Sequence, residues 1–179
     1  MKTIKTNKLF LFIANIIIFF FSVQSLGLQN LDGAYYQTCN ASNEGDYYEQ
    51  YLNIDKGHIH WKFIAYEDAE CKSPYLIFLR EYVIESVNET IVNTAFKKAS
   101  YVSITDEVTR SLNIIRYCGL NGWKTNVARD VTGLKCDEYQ QRQLGEKESF
   151  KYLFDNQNLY WGDDSTIYSK QESRKNISI

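Results

Sequence analysis

The chain has 179 residues, 44% of them hydrophobic and 15% aromatic, with 20 basic against 22 acidic side chains and a formal net charge of −2. A near-neutral, slightly acidic balance does not invite nucleic acid or anionic lipid headgroups to the surface, and no nucleic-acid partner is expected.

Lys2, Lys5 and Lys8 precede an almost unbroken apolar run over 9–23, and Val23-Gln24-Ser25 supplies a small-residue cleavage pattern. The run of about 15 residues is shorter than the ~20 that a membrane-spanning helix needs, so residues 1–25 read as a signal peptide. Their removal leaves 154 residues, enough for one domain with a real core. Three of the 20 basic residues leave with the signal, and the remaining 17 against 22 acids give −5. The expected location is secreted or periplasmic, with no transmembrane segment in the mature chain. The Lys, Asn and Ile usage is of an AT-rich bacterial kind.

All four cysteines lie in the mature part, and an even number in an exported chain favours disulfides over metal ligation. Of the three possible connectivities, Cys39 with Cys71 and Cys118 with Cys136 is expected, because each pair closes one local unit and leaves the segments between free to pair as strands.

Period-two alternation of β-branched and aromatic residues dominates the mature chain. Residues 33–39 read as a first strand and 40–46, rich in Asn, Ser and Gly, as a loop. Residues 47–55 alternate Tyr48, Leu52 and Ile54 against Glu49, Asn53 and Asp55. Asp55-Lys56-Gly57 then turns into 58–66, where Ile59, Trp61, Phe63 and Ala65 oppose His58, His60 and Lys62, as in a hairpin with one buried face. Pro74 is placed in the following loop. Residues 75–87 start apolar on both parities, as in a strand covered on both sides, and 91–104 supply one or two more strands.

Thr105 is an N-cap, with Asp106 and Glu107 in the first helical turn. Val108, Leu112 and Ile115 form the apolar stripe of a helix of about three turns. Residues 149–154 and 158–161 read as a last hairpin turned at Asp155-Asn156-Gln157. About seven short antiparallel strands with one late helix predict a mainly β fold, a small up-and-down barrel whose interior holds either side chains or one small ligand. The expected division is a signal peptide at 1–25, a barrel domain at 26–168, and a polar, mobile tail at 169–179.

Gly33 with a following aromatic and Cys39, the stretch from Tyr66 through Cys71 to Pro74, and Cys118-Gly119, Trp123, Asp130-Val131-Thr132 and Cys136 together resemble the ectodomain repeat of the adenomatosis polyposis coli down-regulated family. Leu159-Tyr160-Trp161-Gly162-Asp163, with Arg174 beyond, is similar to the close of that domain. The animal members are membrane-anchored Wnt antagonists, and the resemblance implies a lipocalin-like antiparallel β-barrel able to accommodate a lipid. The chain departs from the family in holding one domain instead of two, in a smaller cysteine set, and in Tyr35 where a Trp is usual. The signalling role is therefore not carried over.

All 14 tyrosines but only five of the ten phenylalanines lie beyond residue 25. Tyrosine joins an apolar face to a hydroxyl that seeks a partner, which suits pocket rims and interfaces. Tyr48, Leu52, Ile54, Trp61, Phe63, Phe78 and Phe96 are the candidate pocket residues. His58 and His60 share one strand face and are weak candidates for a metal, with a third ligand needed from Glu49 or Glu81. No metal or other cofactor is expected. No nucleophile elbow, zinc-protease helix or phosphate loop occurs, and the adjacent acids Glu67-Asp68 and Asp163-Asp164 suit turns. Asn40, Asn88 and Asn176 begin N-glycosylation patterns. The sequence thus predicts an exported, non-enzymatic binding protein for a small hydrophobic or amphipathic ligand. The alternative is a protein or glycan partner bound through a Tyr-rich face, with a filled barrel.

Overall fold

The computed structural model describes residues 31–42, 45–155, 158–163 and 166–171. The signal segment, the 156–157 turn, Asp164, Arg174 and Asn176 lie outside the described residues.

β1 (Gly33–Ala41), β2 (Tyr47–Asp55), β3 (His58–Tyr66), β4 (Pro74–Val87) and β5 (Ile91–Ser103) follow one another as an antiparallel meander. An excursion then carries the helix α1 (Asp106–Ile115) and three two-residue strands, β6 (Arg129–Asp130), β7 (Lys135–Cys136) and β8 (Tyr139–Gln140). β9 (Lys147–Asp155), β10 (Asn158–Trp161) and β11 (Thr166–Lys170) return to the sheet. β9 pairs with β5 and β11 with β1, so eight strands close into an antiparallel barrel. Closure gives every long strand two neighbours and leaves no edge to template aggregation.

The local chemistry accounts for the register. Lys56 and Gly57 both take positive φ, 49° and 79°, which is the two-residue turn that matches strand twist. It aligns Leu52 with Trp61 and Ile54 with Ile59, so the buried parities of β2 and β3 coincide. Gly33 has a different role. A Cβ there would lie 3.2 Å from the Tyr35 ring, so the glycine makes room for a tyrosine that packs against its own strand's start.

Several boundaries differ from the sequence expectation. β1 runs on to Ala41, and Pro74 is the first residue of β4 instead of a loop residue, a position where its missing N–H costs no ladder bond. Residues 91–103 form one strand. The eighth barrel strand, β11, lies partly in the expected tail, with Ser169 and Lys170 opposite Tyr36 and Tyr35. The strand thus runs two residues past 168, the expected end of the barrel domain.

Thr105 caps α1 as expected, its side chain accepting from the Val108 N–H at 3.2 Å. Leu112 is buried, but Ile115 is 61% exposed, which corrects the expected three-residue stripe. Polar anchoring replaces the third apolar contact. Thr109 Oγ1 lies 2.7 Å from the Ser103 hydroxyl and 2.9 Å from that of Thr125. Asn113 holds both the N–H and the carbonyl of Trp123, at 2.9 and 3.0 Å.

Both disulfides form as expected, Cys39–Cys71 and Cys118–Cys136. The first ties the end of β1 to the β3–β4 loop, and the second ties the turn after α1 to β7. β5 pairs with β9 only through residues 91–95. Beyond them the excursion runs along the same edge: Phe96 exchanges bonds with Gly145 and Glu146, Ser100 pairs with Asp130, and Asn126 N–H donates to Ser103 O. The Asp-Val-Thr segment is the docking point. Val131 is fully buried, its N–H donates to Ala99 O, and Thr132 Oγ1 accepts from the Ala99 N–H.

Candidate ligand-binding cavity

Inward side chains alternate along every barrel strand, and they divide the interior into two halves. At the end carrying the β2–β3 and β4–β5 turns, Tyr35, Leu52, Ile54, Ile59, Tyr82, Val92, Phe96 and Leu159 are each at most 1% exposed. Leu31 plugs that end, and its carbonyl accepts from the Tyr35 hydroxyl at 2.9 Å. Burial pushes the Tyr35 phenol above its ordinary pKa, and the Asp32 charge adds to the rise.

The other half holds a cavity of about 560 Å³, within the ~300–1,000 Å³ of small-ligand sites. Aromatic pairs build its walls. Tyr48 stacks on Phe63 with centroids 4.9 Å apart, and Phe150 on Trp161 at 5.0 Å. Phe78 stacks on Tyr101 at 4.6 Å. Trp61 and Tyr168 complete the apolar lining, and Ser42 and Gly162 belong to the flanking loops. A smaller cavity of about 240 Å³ shares Tyr48, Phe63 and Phe78 and extends toward Tyr75 and Tyr117.

The polar atoms among these rings are largely tied to one another. Gln50 Oε1 accepts from the Trp61 indole N–H and from the Tyr168 hydroxyl, both at 2.8 Å, while its Nε2 donates to Gln37 Oε1 at 2.8 Å. One buried amide thereby satisfies two aromatic donors and leaves their ring faces to the cavity. The Trp161 indole N–H is buried without an acceptor among the described residues.

Two guanidiniums bear on this region, and they are held differently. Arg142 forms ion pairs at 2.6 Å with both Glu146 and Glu148. Arg80 lines the cavity and makes no ion pair among the described residues. It lies 4.6 Å from the Phe78 centroid, 5.4 Å from that of Trp61 and 6.0 Å from that of Tyr139, and it donates to the Tyr139 hydroxyl at 3.3 Å. The Tyr82 phenol is raised well above its ordinary pKa by burial, with Arg80 and Arg142 opposing and Glu148 reinforcing. Its hydroxyl is buried without a hydrogen-bond partner among the described residues.

Of the sequence candidates, Tyr48, Trp61, Phe63 and Phe78 come together on the cavity wall. Leu52, Ile54 and Phe96 do not line it, because they lie deeper in the barrel, in the closed half. Gln50, Arg80, Phe150, Trp161 and Tyr168 were not anticipated. The alternation of residues 47–55 puts Gln50 on the same parity as Tyr48 and Leu52, and Arg80 shares the parity of Phe78; polar identity masked both.

His58 and His60 stand on the outer face of β3 with ring centroids 6.3 Å apart. Among the described residues no group of three His, Cys, Asp or Glu side chains is placed to hold a metal. Glu49, considered as a third ligand, instead accepts from three phenols: Tyr36 at 2.5 Å, Tyr66 at 2.7 Å and Tyr51 at 3.1 Å. Asp68 serves its turn, accepting backbone N–H bonds from Glu70, Lys72 and Ser73. Among the described residues no helix is long and apolar enough to cross a membrane.

No protein-family model matches the chain, and no curated protein matches it.

Proposed function

We propose that this chain is an exported, non-enzymatic binding protein that holds a small apolar or amphipathic molecule in the open half of its barrel. The observation that carries this reading is the 560 Å³ aromatic-walled cavity beside a closed, fully packed half. Ring faces and few polar groups are the lining that buries a small ligand's apolar surface, and the closed half gives it a rigid floor. The resemblance to the adenomatosis polyposis coli down-regulated ectodomain supports the same reading, since that family's barrels accommodate a lipid. Export is supported by the two disulfides and by the apolar N-terminal stretch.

The alternative, a partner bound through a Tyr-rich outer face, has less support. The hydroxyls of Tyr36, Tyr51 and Tyr66, which would recognise such a partner, are engaged by Glu49. Native mass spectrometry of the oxidised mature domain, followed by denaturation and lipid extraction, tests the reading. A retained acyl or other apolar species near one-to-one stoichiometry is expected. A bare protein mass together with no uptake of added dodecanoate or dodecanol would overturn it.

A further inference from the structure

We propose that the ligand of this cavity is an amphipathic anion, and that the Arg80 guanidinium receives its charged group while the apolar body lies along the aromatic walls. The inference rests on the reading of the cavity as a ligand site and adds the ligand's chemical class.

Arg80 is on the inward parity of β4, with Trp61 as its cross-strand partner on β3 and Ala99 on β5. The large partner gives the guanidinium a flat surface to lie against, and the small one leaves space beside it. Its other neighbours are the rings of Phe78 and Tyr139. Such rings attract and orient a cation through their quadrupoles but do not neutralise it.

A guanidinium carries five N–H donors in a planar fork. Among the described residues Arg80 makes one hydrogen bond, to the neutral Tyr139 phenol at 3.3 Å. Arg142 shows the contrast, because carboxylates meet both of its terminal nitrogens at 2.6 Å. Glu148, an acid on the inward parity of β9, gives its Oε1 to that pairing and makes no ion pair with Arg80. The cavity wall therefore presents a fixed cation with an unfilled fork, and the fork geometry matches a carboxylate or a phosphate monoester.

A ligand of purely hydrocarbon character would leave the Arg80 fork without its partner and pack apolar surface against a charge. An anion on an apolar body answers both features of the wall.

The test is a titration of the oxidised mature domain with three probes of one chain length, dodecanoate, dodecyl phosphate and 1-dodecanol, followed by intrinsic tryptophan fluorescence and calorimetry. The wild type is expected to bind an anionic probe more tightly than the alcohol. Arg80→Met keeps an apolar stem on Trp61 and is expected to lose about 10- to 100-fold in affinity for the anion while alcohol binding is retained. Arg80→Lys keeps charge without the fork and is expected to fall between. The stronger of the two anionic probes identifies the headgroup as carboxylate or phosphate. Equal binding of all three probes, unchanged in Arg80→Met, would overturn the anion inference and leave the cavity reading standing. Loss of alcohol binding in both variants would assign Arg80 to packing and also overturn it. Failure of every probe to bind the wild type would overturn both.

Discussion

The Gln50 side-chain oxygen Oε1 lies 2.8 Å from the Trp61 indole nitrogen, so a residue on β2 fixes the plane of the largest ring on the neighbouring strand. The same oxygen takes the Tyr168 hydroxyl from β11, on the far side of β1. With its Nε2 on Gln37 of β1, the amide couples four adjacent strands of the barrel wall, β11, β1, β2 and β3.

Replacing that amide with a hydrocarbon of similar size should be costly. Gln50→Leu strands the Trp61 and Tyr168 donors and the Gln37 side chain, and a loss of about 2–4 kcal/mol is expected. Urea unfolding measures it. Gln50→Glu, which keeps the acceptor, should recover part of the loss.

The two halves of the barrel should respond differently to the same truncation. Phe96→Ala opens a void in the closed half and should cost about 3–5 kcal/mol. Phe63→Ala only enlarges an existing cavity and should cost less than half as much while altering probe binding. Similar losses from both substitutions would argue against a barrel packed at one end and hollow at the other.

The phenols around Glu49 should titrate late. Burial, reinforced by the Glu49 carboxylate, pushes Tyr51 up to about 12, and Tyr36 and Tyr66 rise further for the same reasons. Their folded pKa values lie above the unfolded value of about 10, so their contribution to stability is complete below about pH 10 and is lost as pH climbs through the folded values. Phenolate absorbance should show a late-ionising class in the native protein, and Glu49→Gln should move Tyr51 downward. A single transition near the ordinary value would contradict the cluster.

The second disulfide should matter to the excursion more than to the ring. Cys118→Ser with Cys136→Ser opens a loop spanning 18 residues and should cost about 3 kcal/mol on the chain-entropy account. Hydrogen exchange should rise first in residues 117–142, with the β2–β3 ladder still protected.

Much of the barrel was legible because half-buried strands advertise themselves. The β2–β3 hairpin was read to the residue, since its turn chemistry and its alternation agree. β11 was missed because Thr166-Ile167-Tyr168-Ser169-Lys170 is short and polar, and only its pairing with β1 makes it a strand. Ile115 kept perfect helical spacing yet stays in solvent, because periodicity says which face a residue shares and not how far the covering surface extends. The cavity was half legible for a related reason. Hydrophobic identity pointed to Tyr48, Trp61, Phe63 and Phe78, but it could not tell Leu52 in the floor from Tyr48 in the wall, and it hid Gln50 and Arg80 altogether. Depth along a strand is a tertiary property, set here by which end the plug at Leu31 fills.

The shared edge of β5 divides the wall into two kinds of material. Along residues 91–95 it is a strand ladder that belongs to the ring, and from Phe96 to Ser103 it is a stapled panel of loop. From that panel Tyr117 enters the wall of the smaller cavity and Tyr139 meets Arg80, so its sequence bears on the barrel interior through two side chains while the register of the hairpins opposite is set elsewhere.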